Sequence, residues 1–249
     1  MLKMIKMDLY RFFHSMSIWI TLFADIVLAV LSIILVYTMA NNSASIQIYS
    51  DVGTLLAAQI NGGIMMILCT VSVTIFVNAK YKGGFIKNIA NYLFHREMLI
   101  ISDVIMLALV CALHFFVYSA CTIGAWEAIL GNAFISFPVY AIMRLLIIQF
   151  VLHWSFCCLL LLCYTLTNSA TFTIAAGILI SFKILNIIYV LVRHFTNWNL
   201  AKYMLDYNIF QVGIESTEST YTRTAVVGVV FLLVEIMLSC FVMSKKDIK

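Results

Sequence analysis

The sequence predicts an all-α integral membrane protein, and three observations support this. Hydrophobic residues make up 64% of the 249 residues and charged residues only 10%, with a mean hydropathy of +1.05. A soluble domain of this length could not bury so much apolar surface. A single proline favours long, uninterrupted helices. Finally, the apolar runs are continuous, which is typical of spanning helices and not of the alternating strands of a β-barrel.

Six apolar runs are long enough to span a membrane. A helix rises ~1.5 Å per residue and the hydrocarbon core is ~30 Å thick, so about 20 residues suffice. Backbone groups in lipid must pair internally, which isolated strands cannot do. We therefore predict one membrane domain, residues 1–249, with six transmembrane helices at about 18–40, 56–79, 100–123, 141–166, 172–192 and 224–243.

Residues 1–16 predict an amphipathic helix that lies on the membrane surface. At 100° per residue, apolar and polar side chains separate almost completely, which is the pattern of an interfacial helix. The apolar side holds Met1, Leu2, Ile5, Leu9, Phe12, Phe13 and Met16. The polar side holds Lys3, Lys6, Asp8, Tyr10, Arg11 and His14, joined by Met4 and Met7. An ordinary cytoplasmic extension of the first span is the alternative interpretation.

The distribution of Lys and Arg predicts the orientation. If the N-terminus is cytoplasmic, ten of these residues fall in cytoplasmic segments and four in outer segments or at outer helix ends. This positive-inside bias places both termini in the cytoplasm. Residues 80–97 then form the main cytoplasmic loop. Residues 193–223 form an aromatic-rich outer loop that we expect to contain short interfacial helices.

The stretch AKYKGGFIKNIANYLFHRE, residues 79–97, is the polar interruption in this apolar chain. Gly83 and Gly84 allow a sharp change of direction. From residue 85 onward the pattern predicts a short amphipathic helix with one apolar and one polar face. Its apolar face holds Phe85, Ile86, Ile89, Tyr92 and Leu93, and its polar face holds Lys87, Asn88, Asn91 and His95. A solvated loop helix without a partner fits the same pattern.

The six-span layout and this stretch resemble the permease subunits of ABC-2 type exporters, in particular bacterial peptide or lantibiotic-type exporters and immunity permeases. The family's cytoplasmic loop carries a glycine, a hydrophobic pair, Lys-Asn and a later Arg. In this sequence they correspond to Gly84, Phe85–Ile86, Lys87–Asn88 and Arg96. Two positions differ. The acidic residue often found ahead of the glycine is replaced by the Lys80–Lys82 region, and the basic residue often found after the arginine is Asp103.

The resemblance implies that the loop helix is a cytoplasmic coupling helix that docks on a separate ABC ATPase. The implied coupling residues are Lys82, Gly83, Gly84, Phe85, Lys87, Asn88, Asn91 and Arg96. The chain has no G-x-x-x-x-G-K-[ST] motif, so ATP and Mg would be bound by the partner, and we expect neither a cofactor nor an enzyme activity in this chain. The family further implies a homodimer with two ATPases in a bacterial cell membrane. Amphipathic or antimicrobial peptides are the cargo that the resemblance favours, and lipid-linked sugars, drugs and sodium ions remain open.

Three ionisable residues, Asp25, Lys183 and Glu235, fall within the predicted spans. Each costs roughly 2.5–3.5 kcal/mol at the bilayer centre unless it is paired or faces water. Lys183 and Glu235 lie at similar depth, so we predict that they form an ion pair. Asp25 is shallower and either joins them or hydrogen-bonds elsewhere. Such a pair could fix helix register or line a polar pathway, and we favour the structural role.

His114 and His153 lie near mid-depth on the third and fourth predicted spans. Two facing histidines could bind haem iron, so a haem-binding redox protein is an alternative function, and a non-transporting scaffold or sensor subunit is another. Hydrogen-bonded core histidines are the simpler interpretation. The seven cysteines lie in or beside apolar runs, and we expect buried small side chains there, with no disulfide or metal site. The few basic residues give no sign of nucleic-acid binding.

Overall fold

A computed structural model describes residues 2–42, 52–82, 96–130 and 138–245, and these ranges contain helices but no strand. Ten α-helices follow one another in these ranges: α1 Leu2–Phe13, α2 Met16–Asn42, α3 Val52–Ile60, α4 Gly63–Lys82, α5 Glu97–Leu130, α6 Val139–Thr167, α7 Ala170–Ser181, α8 Leu185–Thr196, α9 Leu205–Gln211 and α10 Glu218–Lys245. A short 3₁₀ helix, Leu200–Tyr203, lies between α8 and α9.

Five of these helices, α2, α4, α5, α6 and α10, are long and apolar enough to cross a membrane. The pair α7 and α8 would form a sixth span, bent by 58° at its break. The protein is therefore an all-helical, multi-pass membrane protein with five or six spans, in agreement with the predicted class. Apolar side chains on the outer faces of α2 and α10 remain exposed, as lipid-facing side chains should be.

Two predicted spans are interrupted. The run 56–79 breaks at Asn61 and Gly62, between α3 and α4. The run 172–192 breaks at residues 182–184, where Lys183 adopts a left-handed backbone with φ of 59°. An L-residue takes this conformation only as a single helix-ending residue, so the helix direction changes there. Hydropathy alone did not predict either break, since Asn, Gly and Lys can all occur within a helix.

The two breaks are held together by close backbone packing between α4 and α7. A Cβ on Gly63 would overlap the carbonyl oxygen of Ser181, and a Cβ on Gly177 would overlap the side chain of Thr70. Both glycines therefore permit an approach that no other residue allows. The start of α4 is fixed against the end of α7, which places the two helix breaks side by side.

The central helix of the bundle is α6, which packs against α4, α5 and α10. At the end where α6 begins, Gln149 Nε2 donates to Asn61 Oδ1 at 2.6 Å and to the Ile209 carbonyl at 2.9 Å. Asn61 in turn donates to the Val212 carbonyl at 2.6 Å. These bonds satisfy the polar groups of the α3–α4 break and tie the segment after α8 to the bundle.

The predicted outer loop contains short helices, as expected, but much of it packs on the bundle. Leu205, Asn208 and Ile209 of α9 are buried. The Tyr189 hydroxyl of α8 donates to Asp206 Oδ1 at 2.7 Å, and burial raises the pKa of this carboxyl above its ordinary value.

We predict that Gly177→Ala destabilises the protein, whereas Gly124→Ala does not. Both glycines lie inside helices, so both substitutions gain the same helix propensity. Only the Gly177 methyl group meets a buried, β-branched neighbour, Thr70, while nothing lies within contact distance of a Cβ at Gly124. Overpacking of this kind costs about 1–3 kcal/mol. Thermal unfolding in detergent measures the difference, and equal midpoints for the two variants would contradict the packing described for α4 and α7.

Candidate functional site

A buried cluster of charges joins three helices at the end of the bundle where the chain begins. Lys80 Nζ, in the last turn of α4, donates to Asp8 Oδ2 of α1 at 2.8 Å and to Asp103 Oδ1 of α5 at 2.6 Å. All three side chains are completely buried. A buried charge is tolerated only when it is paired and hydrogen-bonded, so each helix is held in place by the other two.

Further hydrogen bonds complete this cluster. Ser102 Oγ donates to Asp8 Oδ2 at 2.7 Å, and Arg11 donates to Asp8 Oδ1 at 3.1 Å. The Tyr81 hydroxyl donates to Asp103 Oδ2 at 3.2 Å. Two cations therefore balance two carboxylates, and every carboxylate oxygen accepts a bond. Such a neutral, fully satisfied network can lie in a low-dielectric interior.

The cluster corrects two expectations. Asp8 was expected on the polar, solvated side of the surface helix, but the buried face of α1 runs Met4, Asp8, Phe12. Asp8 is buried because it pairs with residues of α4 and α5, and the polarity pattern within α1 does not include those neighbours. Lys80 was counted in the cytoplasmic loop 80–97, but α4 continues to Lys82 and Lys80 is buried within it.

Most of the predicted coupling residues lie outside the described residues: Gly83, Gly84, Phe85, Lys87, Asn88 and Asn91. The two predicted residues that flank this gap are described. Lys82 ends α4 and is exposed, while Arg96 lies in the turn just before α5 and is half-buried. The buried cluster thus contains residues from both helices that flank the segment 83–95: Lys80 and Tyr81 of α4, and Ser102 and Asp103 of α5.

A second polar network lies deeper in the bundle. His114 Nδ1 of α5 contacts Asp25 Oδ2 of α2 at 2.5 Å, and His114 Nε2 contacts Ser72 Oγ of α4 at 2.7 Å. The Ser72 hydroxyl also donates to the Leu68 carbonyl at 2.9 Å, which uses its only hydrogen. His114 Nε2–H then donates to Ser72, and His114 Nδ1 and the Asp25 carboxyl group share one proton between them. Asp25 therefore does not join Lys183 and Glu235, and instead bonds to His114.

The predicted Lys183–Glu235 ion pair is absent. Glu235 on α10 accepts a hydrogen bond from Ser155 Oγ at 3.0 Å, and no salt bridge joins it to Lys183 within the described ranges. Lys183 lies at the break between α7 and α8, with Nζ 4.2 Å from the centre of the Phe210 ring. The prediction failed because it placed Lys183 inside a straight helix, whereas the break moves the ammonium toward the aromatic segment.

The two core histidines do not form a haem-binding pair. Both ring nitrogens of His114 are already engaged by Asp25 and Ser72, so neither is available to an iron atom. His153 Nδ1 donates to the Gln149 carbonyl at 2.8 Å, and its ring packs edge-on against Phe115. This geometry favours the simpler expectation of core histidines over the haem alternative.

All seven cysteines are free thiols, and four of them, Cys69, Cys111, Cys157 and Cys158, are buried. Three of these bring their sulfur atoms together: the Cys69, Cys111 and Cys157 Sγ atoms all lie within 4.8 Å of one another. Sequence spacing could not reveal this cluster, because the cysteines come from three different helices. It is the one group of potential metal ligands found among the described residues.

A scan against protein-family models gives no match for this chain, and a search of curated proteins gives none either.

We predict that Lys80→Met strongly destabilises the protein and that Lys82→Met does not. Removing Lys80 leaves two buried carboxylates without their shared cation, which costs about 3–5 kcal/mol. Lys82 is exposed and lies only two residues further along the same helix. Thermal unfolding in detergent, with monodispersity by gel filtration, distinguishes the two. Equal stability of both variants would show that the Lys80 cluster does not hold the helices together.

Proposed function

We propose that this chain is the membrane-spanning permease subunit of an ATP-driven exporter of the ABC-2 type. Two lines of support converge. The segment 79–97 resembles the coupling loop of that family, and the chain is a multi-pass helical membrane protein with no nucleotide-binding motif. In this proposal α1 lies on the cytoplasmic membrane surface, residues 85–95 form the coupling helix, and both termini are cytoplasmic.

The observation that carries the proposal is the buried Lys80 cluster. It binds α1 and the helices on both sides of the segment 83–95 into one unit through Asp8, Lys80 and Asp103. A movement that a partner imposes on that segment would therefore be transmitted to three helices together. A solvated loop without a partner would gain nothing from such a costly buried anchor.

The two departures from the family's pattern also support the proposal. A basic region replaces the usual acid ahead of the glycine, and Asp103 replaces the usual base after the arginine. Lys80 and Asp103 contact each other at 2.6 Å. The two departures are therefore opposite in charge and lie in contact, so each compensates the other in this chain.

Peptides that act on membranes are the cargo we propose. The segment 193–223 presents exposed aromatic side chains, with Phe195 at 80% exposure, Trp198 at 56% and Tyr203 at 52%. Aromatic rings of this kind favour the membrane–water interface, where amphipathic peptides accumulate. The complete transporter would contain two copies of this chain and two ATPase subunits, with ATP and Mg bound by the ATPases.

The proposal predicts that Phe85→Ala and Lys87→Ala uncouple ATP hydrolysis without unfolding the spans. The chain is co-expressed with a candidate ABC ATPase from a neighbouring gene, and ATP turnover of the purified complex is compared with that of the ATPase alone. We expect both variants to reduce turnover to the rate of the isolated ATPase. Phe23→Ala, an exposed aromatic on α2 outside both the coupling segment and residues 193–223, is the matched control and should leave turnover unchanged.

Deletion of residues 83–95 tests the docking surface itself. We expect the deleted chain to remain in the membrane and to lose the ATPase during purification. An ATPase that stays bound to the deleted chain would contradict the coupling assignment.

A further inference from the structure

The three-thiol cluster is built by three neighbouring helices at one point in the bundle. Cys69 comes from α4, Cys111 from α5 and Cys157 from α6, and each has no exposed surface. Their sulfur atoms lie within 4.8 Å of one another. A zinc-class ion bound to thiolates at about 2.3 Å requires sulfur atoms about 3.8 Å apart in a tetrahedral site. Small side-chain rotations would close the observed spacing to that value.

A further donor on α6 is His153, whose ring nitrogens lie outside the 4.8 Å group and would have to move toward the sulfur atoms to bind the same ion. His153 precedes Cys157 by four residues, so both side chains lie on the same face of α6. Its Nδ1 donates to the Gln149 carbonyl at 2.8 Å, which leaves the Nε2 lone pair exposed to the interior. Nε2 is fully buried and has no hydrogen-bond partner among the described residues. A backbone carbonyl that fixes the Nδ1–H tautomer is the usual support for a histidine that ligates a metal.

The three thiols lie in an apolar part of the bundle. The same position is surrounded by packed apolar side chains that exclude water, including Phe115 and Phe156. A buried nitrogen without a partner is costly in such surroundings, and a metal ion would satisfy it.

The donor set and the charge together select the ion. Three cysteines and one histidine form a common tetrahedral zinc site, and thiolates select soft ions over Mg²⁺ or Ca²⁺. Three thiolates and a neutral imidazole leave a net charge of −1 around a divalent ion but −2 around Cu⁺. Because uncompensated charge is expensive in a dry interior, the divalent ion fits better.

We propose that Cys69, Cys111, Cys157 and His153 bind one thiophilic divalent cation of the Zn²⁺ and Cd²⁺ class. The bound ion cross-links α4, α5 and α6 at the centre of the bundle. This inference does not depend on transport or on an ATPase, because it uses only the donor atoms of these four residues.

The test is Cd²⁺ and Zn²⁺ binding to the full chain purified in detergent under reducing conditions. Wild-type protein should bind about one Cd²⁺ per chain, with an ultraviolet thiolate-to-metal charge-transfer band, and Zn²⁺ should compete for the same site. Cys157→Ser should abolish the band. Cys158→Ser is the matched control, because Cys158 is equally buried on the same helix and lies outside the cluster. It should bind Cd²⁺ as wild type does.

Two further measurements keep the proposal testable if Cys157→Ser does not fold. X-ray absorption of the wild-type Cd²⁺ or Zn²⁺ complex should give three sulfur and one nitrogen ligands, and His153→Gln should remove the nitrogen. An oxygen-dominated shell, binding that Cys158→Ser abolishes, or uptake of Cu⁺ without Zn²⁺ or Cd²⁺ would overturn the proposal. Wild-type protein that binds neither divalent ion stoichiometrically would overturn it as well.

Discussion

The arrangement of the N-terminal end of this bundle depends on one constraint: a lysine that is fully buried must be surrounded by acceptors. Lys80 meets it with Asp8 and Asp103, which come from different helices 72 and 23 residues away in sequence. The desolvation cost of each ion is several kcal/mol, and only close pairing offsets it. The pairing therefore determines where α1 packs and how the ends of α4 and α5 are placed.

The same constraint organises the other ionisable groups in the bundle. Asp25 contacts His114, and Glu235 accepts a hydrogen bond from Ser155. Lys183 has no carboxylate partner in the described ranges, and it lies exposed at a helix break with its ammonium over an aromatic ring. Placement over Phe210 gives the cation a weaker, cation–π partner. Asp25 is thus buried beside a histidine, Glu235 is buried with a single hydroxyl donor, and Lys183, which has no acid beside it, lies outside the core.

Sequence analysis predicted the membrane class and the approximate spans, because long apolar runs have few alternatives in a lipid environment. It missed what depends on contacts between distant residues. Hydropathy could not place the break at Lys183, since a left-handed residue leaves no mark on an apolar pattern. The helical wheel placed Asp8 in solvent because a wheel contains no neighbouring helix. The one available signal was that Asp8 is the only acid in a basic helix, which suggests a buried cation partner elsewhere.

The position of the cation on α4 and the acid on α5 in the Lys80–Asp103 pair has a physical basis. Lys80 lies in the last turn of α4, where the helix dipole places partial negative charge and favours a cation. A carboxylate at that end would oppose the dipole and would need stronger compensation from its partner. A pair with the lysine on α4 and the acid on α5 therefore links the two helices and gains a favourable dipole term. The lysine can then recruit a second carboxylate, Asp8, which an acid at this position would repel, and this second bond brings α1 into the cluster.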